Sequence, residues 1–309
     1  MLTDLWGAEF VPLTLPPLVI ATLAARTCAL PGNFLILRRQ AMLGDAMSHV
    51  VLPGIVAAYL LTGSAATPVR LLGARAAAGL AALMIEGIRR LAGTDAGVAM
   101  GITFTTLFAA GVLLLEQSGA SSVHLDVEHA LYGNLEGLIW FDATGWSSLL
   151  DPQALAGLPP EVAGLAAVLA IVTAVVWLFW RPLVIATFDE GFARTAGIPV
   201  TLLSAGLVGI TAVAAVAAFS AVGSILTIAM LICPPATARL LTDDLSAQVR
   251  LSLVIAAAAA TLGTLIAGYL PPLIGLPGTV SASGMIAVTS GLFLALAARM
   301  GPHRRPGSA

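Results

Sequence analysis

An aspartate and a histidine, Asp45 and His49, stand four residues apart inside an apolar stretch that runs from about Ala41 to Leu61. On a helix that spacing brings two side chains to one face. An ionised carboxylate and a neutral imidazole offer one oxygen and one nitrogen, a ligand pair suited to divalent transition metals. Ser48 adjoins the pair, and Gly44 and Gly54 flank it with room for close backbone approach. Ionisable side chains at membrane depth are costly and mark ion or substrate paths. A buried Asp–His pair that only fixes helix packing is the competing explanation. Two ligands hold a metal weakly, so a symmetric pair of chains with this helix on the axis would double the set.

The surroundings of the pair are those of a polytopic membrane protein. The chain has 309 residues, 59% hydrophobic and 10% charged, with a mean hydropathy of +0.99. A soluble domain carries roughly 25% charged residues. The net charge of −2 and the lack of a basic stripe disfavour nucleic acid as a partner. All fourteen basic residues are arginine, which base composition explains together with the abundance of Ala, Gly and Leu. Cys28 and Cys233 both fall in apolar runs without metal-finger spacing, and no disulfide between them is expected. No basic region precedes the first apolar run, so no cleavable signal peptide is expected.

Runs of the length a bilayer requires lie at about 13–37, 41–61, 71–91, 98–116, 163–180, 202–220, 222–240, 251–270 and 279–299. The run over 202–240 is nearly continuous and divides at Ser220–Gly223. The expected fold is therefore all-α and polytopic, with about eight or nine transmembrane helices. Residues 1–300 form a single transmembrane domain, and 301–309 a short basic tail read as disordered. Arg38, Arg39, Arg89, Arg90, Arg181, Arg194, Arg239, Arg250, Arg299, Arg304 and Arg305 fall on one side, and only Arg70 and Arg75 opposite. The positive-inside bias makes that side cytoplasmic. It puts the loop 181–200 and the C-terminus in the cytoplasm, and the loop 117–162 outside. An odd number of spans would leave the N-terminus outside.

Three stretches, in chain order, resemble the permease subunits of manganese/zinc/iron ABC importers. RRQAMLGDAMSHVVLPGIVAAYLL, Arg38 to Leu61, is similar to that family's arginine-rich edge followed by G-D-A-x-S-H and L-P-G. FDEGFARTAGI, Phe188 to Ile198, is similar to its cytoplasmic F-D-x-x-x-A-x-x-x-G-I segment. VGSILTIAMLICPPATARLLT, Val222 to Thr242, is similar to its late span that ends in P-A-x-x-A-R-L-L. ALYGNLEGL, Ala130 to Leu138, is a fainter echo of a Y-L-F-G segment.

The resemblance implies a metal-chelate-type ABC importer permease in a prokaryotic inner or plasma membrane. It implies a homodimer, with a separate ATPase chain below and an extracytoplasmic metal-binding protein above. It implies Asp45 and His49 as the intramembrane metal path, and a transported manganese, zinc or iron ion with no permanently bound cofactor. Asp189, Glu190, Ala193, Gly197 and Ile198 would belong to the coupling helix that docks in a groove of the ATPase. The residues themselves agree: the segment is short, polar and on the arginine-rich side. The chain has no P-loop and, lacking lysine, can have none, so any ATP hydrolysis belongs to another subunit.

Other clusters are weaker. His124, Asp126, Glu128 and His129 in the external loop would make a metal relay beneath the binding protein, although exposed loops collect such residues freely. Cys233-Pro234-Pro235 resembles the Cys-Pro element of a soft-metal site, but with no lysine for a pump-type nucleotide domain a small core residue beside a kink explains it better. Arg26 falls inside the first span, where it pairs with Asp45 across helices or snorkels outward. Glu86 and Glu116 sit near span ends, where interfacial solvation accounts for them. Two other classes of function compete: a proton-coupled secondary transporter, and an intramembrane metalloenzyme or protease. The latter needs a third ligand or a Ser–His dyad, yet Ser48 and His49, as helix neighbours, diverge by about 100°.

Overall fold

With no water in a bilayer to accept or donate hydrogen bonds, apolar runs of about twenty residues cross it as helices. The computed structural model describes residues 10–41, 43–63, 67–117, 135–273, 275 and 280–301; the side chains of residues 43–49 lie outside that description. A π-helical turn, Phe10–Thr14, leads into α1 (Leu15–Leu37), whose first turn holds Pro16 and Pro17. Prolines are tolerated there because the first N–H groups of a helix have no intrahelical partner. Then follow α2 (Leu43–Thr62), α3 (Thr67–Ala92) and α4 (Ala96–Gln117). Short α5 (Pro152–Ala156) precedes α6 (Pro160–Leu178), α7 (Trp180–Phe188) and six-residue α8 (Glu190–Thr195). The chain ends in α9 (Val200–Leu241), α10 (Leu245–Leu273) and α11 (Ala282–Met300).

At 42 residues, α9 would be about 63 Å long as a straight helix, twice the hydrocarbon thickness of a bilayer. It is broken at Gly223, whose φ of +80° and ψ of 175° are non-helical. The break falls where the apolar run divides, so α9 supplies two spans, 200–222 and 224–241. Among the described residues six helices, α9 included, are long and apolar enough to cross a membrane. With α2, α3 and the second half of α9, nine segments have the required length, at the upper end of the expectation. The charges of α3 (Arg70, Arg75, Glu86, Arg89, Arg90) lower its apolarity without shortening it.

Helix α1 is the hub, packed against α9, α10 and α6. Its inward face is small: Ala21, Ala24, Ala25, Cys28, Ala29 and Gly32 are all buried. Small residues let helices approach closely where apolar lipid gives no hydrophobic drive to associate. At Gly32 the approach is backbone to backbone, since a Cβ there would collide with the Leu231 carbonyl and lie 3.0 Å from Pro235 Cγ. Pro235, four residues beyond Leu231, has no N–H to bond that carbonyl, which leaves it facing the glycine. A buried polar cluster fastens α1 to α10. Asn33 Nδ2 donates to Ser252 Oγ at 2.8 Å, and Gln248 Nε2 donates to Asn33 Oδ1 at 3.1 Å.

The loop ahead of α5 is partly structured. Trp140 is fully buried in a small apolar cluster with Val11, Ala143 and Ala154, and its indole N–H donates to the Ala154 carbonyl at 2.8 Å. Phe10 stacks on Trp146 at 5.7 Å. These contacts seat the loop on the N-terminal end of α1.

Candidate metal path and coupling surface

Asp45 and His49 both lie on the continuous helix α2, one turn apart, as their spacing requires; their side chains are outside the described set. What positions that helix is described. Pro53 and Gly54, the end of the L-P-G stretch, are both buried. Gly54 and Gly73 of α3 meet backbone on backbone, and a Cβ on either would strike the other's carbonyl. Gly111 of α4 sits against Pro53, within 2.7 Å of Pro53 Cβ were it to carry a Cβ of its own. The L-P-G stretch is thus a packing device that holds α2 between α3 and α4, one to two turns beyond His49. His124, Asp126, Glu128 and His129 lie outside the described residues, as does the tail 302–309. Among the described residues no three His, Cys, Asp or Glu side chains converge.

The residues read as a coupling segment build a complete short helix. Asp189, in extended conformation, caps α8: its side chain accepts from the Phe192 N–H at 2.8 Å. Such a cap satisfies one of the orphan donors at a helix start. At the other end Gly197 has φ of +76°, the left-handed conformation that glycine adopts without penalty. Its N–H donates to the Arg194 carbonyl at 3.1 Å, and the Ile198 N–H donates to the Ala193 carbonyl at 2.9 Å. Those two bonds are a Schellman closure. Ala193 is fully buried with Ala186 and Val200, and Ile198 packs on the same cluster. Every fixed position of F-D-x-x-x-A-x-x-x-G-I after the phenylalanine therefore has a local structural cause. The variable positions face outward, with Glu190 and Arg194 paired at 3.5 Å and exposed. Phe188 and Phe192 are each 59% exposed, which gives this end an apolar contact surface.

A cleft of about 240 Å³ separates α8 from the end of α3. Glu86, Arg89, Arg90 and Thr94 line one wall, and Glu190, Arg194, Thr201 and Ser204 the other. Glu86 accepts from Arg90 Nε at 2.7 Å and from Arg89 at 3.3 Å, so it is paired here and not merely solvated. Arg38, the cap of α1, reaches the same region: its Nε donates to Thr187 Oγ1 at 3.1 Å and its Nη1 to Ser204 Oγ at 2.9 Å. Burial lowers the Arg38 pKa, Glu190 opposes that shift and Arg89 adds to it; an arginine stays charged all the same. Arginines distant in sequence thus meet at one end of the bundle, as the orientation count requires. The sequence marks Arg38 only as a membrane-edge charge, and no local pattern announces Thr187 or Ser204.

Arg26 is exposed in mid-α1, on a helix otherwise largely buried. Cys28 and Cys233 are both free. Cys233 lies in the second half of α9 beside the two prolines, through which the helix continues.

This frame of bilayer-length helices, with Asp45 and His49 on one helix and a capped surface helix at its arginine-rich end, is that of a polytopic membrane protein. The chain belongs to the ABC 3 transport family, whose model matches residues 11–142 and 153–299. It is similar to the manganese transport system membrane protein MntD of Bacillus subtilis, 38% identical over 286 residues, 92% of this chain and 91% of that one. The zinc transport system membrane protein TroC of Treponema pallidum is 30% identical over 265 residues, 85% of this chain and 83% of that one. Among solved structures, PsaBC from Streptococcus pneumoniae in complex with Fab matches with a TM-score of 0.74 at 27% identity, covering 99% of this chain and 96% of that one. The protein is a multi-pass membrane permease subunit of an ABC transport system. Membership of that family sets aside both the self-sufficient secondary transporter and the intramembrane enzyme.

Proposed function

We propose that this permease carries a divalent transition metal, manganese, zinc or iron, into the bacterial cytoplasm through a path that includes Asp45 and His49. The similarity to a manganese and to a zinc transport protein supports that cargo, and nitrogen–oxygen ligation suits all three ions. The observation that carries the importer reading is α8, capped at both ends and displaying Phe188 and Phe192 at the arginine-rich end. It is the surface on which a cytoplasmic ATPase docks. A metal-binding protein delivers the ion from outside, and His124, Asp126 and His129 are candidates for a relay beneath it. Two copies of the chain face each other, so that two Asp45/His49 pairs flank the path. Nucleotide-driven closure opens the dimer outward, and resetting of the ATPase releases the ion inward, which is alternating access about a fixed intramembrane site.

Uptake of manganese or zinc into proteoliposomes tests this, with and without the ATPase chain and ATP. Uptake should need both, and uptake indifferent to the ATPase would sink the importer reading. Asp45→Ala and His49→Ala should each abolish uptake while the dimer still binds its ATPase. If both variants transport normally, the pair is only structural.

A further inference from the structure

We propose that Arg38 is the strap that ties the coupling helix α8 to the helix bearing Asp45 and His49, and so makes ATPase motion move the metal path. This positioning role rests on the importer reading above. One guanidinium is bonded to both flanks of α8. Thr187 lies two residues before the cap Asp189, and Ser204 lies one turn into α9 beyond Ile198. The backbone of Arg38 is itself the cap of α1, and α2 begins at Leu43, so only four residues separate the strap from the helix of Asp45.

The first two of these residues, Arg39 and Gln40, are held in place. The Arg39 N–H donates to the Ile36 carbonyl at 3.0 Å and the Gln40 N–H to the Leu35 carbonyl at 2.8 Å, with Arg39 held at φ of +57°. A closed turn of this kind passes displacement on where a flexible linker would absorb it. Two bonds from one planar fork fix the orientation of the guanidinium as well as its position, which a lysine ammonium cannot do. Among the described residues Arg38 Nη2 is buried without a hydrogen-bond partner. A buried donor left open is unfavourable. It would gain a partner in a second arrangement, in which the cleft between α3 and α8 has closed and Glu190 or a neighbouring carbonyl has come within reach.

The experiment uses the complete importer in proteoliposomes, reading metal uptake and ATP hydrolysis together. Arg38→Gln should leave ATP hydrolysis within about twofold of wild type and lower ions moved per ATP by about tenfold or more, the scale of a lost coupling between sites. Arg38→Lys, which keeps the charge and can reach only one flank, should fall between. The double variant Thr187→Val with Ser204→Ala keeps Arg38 itself and should reproduce the loss of coupling. It decides the matter if Arg38→Gln fails to assemble. A wild-type ratio of ions to ATP in the double variant overturns the strap. Absence of ATP-dependent uptake in the wild-type complex would instead overturn the importer reading, so the two failures are distinguishable.

Discussion

Two helices end at the arginine-rich face with the same hydrogen-bonded closure, yet they are backed in opposite ways. The end of α8 places Gly197 in the left-handed position, where glycine is at no disadvantage. The end of α1 places Arg39 there, at φ of +57°, where a side chain costs about 1–2 kcal/mol. Behind the arginine, α1 is locked to α9 at Gly32 and to α10 at Asn33. Behind the glycine, α8 rests on one small apolar cluster and is otherwise open. A helix held by the bundle can carry a strained terminus. A six-residue helix has almost no reserve, since helices this short do not form on their own, and it needs every favourable cap.

The contrast predicts a global effect at one end and a local effect at the other. The largest belongs to Gly32→Val, which drives a side chain into the Leu231 carbonyl and Pro235. Neither the backbone nor the proline can yield, so a loss of about 3 kcal/mol is expected, at the upper end for overpacking. It would be read as a lowered melting temperature and loss of monodisperse protein in detergent. Unchanged melting would mean that α1 is not locked as described. Gly197→Ala comes next. The left-handed residue then costs about 1–2 kcal/mol, and on the proposed docking of the ATPase at α8 its binding should weaken by about tenfold, since 1.4 kcal/mol is a factor of ten. The melting temperature of the permease alone should barely move, because α8 contributes little to the bundle. If Gly197→Ala lowered the melting temperature as far as Gly32→Val does, the two ends would not differ in their backing.

The same contrast explains what could be read from sequence. Hydropathy alone gives the long helices, and even the break in α9, because Gly223 sits in a Ser–Gly-containing gap between two apolar runs; α7, at Trp180–Phe188, falls within what it leaves as the loop 181–200. Helix α8 is also legible, since N-cap, buried alanine, left-handed glycine and following isoleucine are local signals with fixed offsets. Arg38 is different. Its partners are 149 and 166 residues away, and a contact between two distant helices leaves no period or motif in either. The meeting of Gly32 with the Leu231 carbonyl is hidden for the same reason, although Pro235 advertises a carbonyl without its usual partner. The L-P-G stretch at Leu52 to Gly54 is legible as a motif, but its cause, the Gly73 backbone and the Gly111 surface, emerges only from the packing. For Asp45 and His49 the sequence supplies the shared helix face, and the structure adds how that helix is held.

The smallest effect is the most discriminating. Replacing Arg39 by glycine removes the left-handed penalty of about 1–2 kcal/mol and adds a glycine entropy cost of about 0.5–1 kcal/mol. A net stabilisation of about 0–1.5 kcal/mol should follow, seen as a slightly higher melting temperature. If the turn were all that mattered, transport would be unchanged or improved. The presence of an arginine where glycine fits better argues that its charge is used at the membrane edge, where cationic side chains hold helix ends on the cytoplasmic side. Arg39→Gly should therefore gain stability and lose uptake, and Arg39→Lys should recover the uptake without the stability. A variant that gains both would show that Arg39, unlike Arg38, is there by tolerance, and that the two closures differ only in how firmly the bundle holds them.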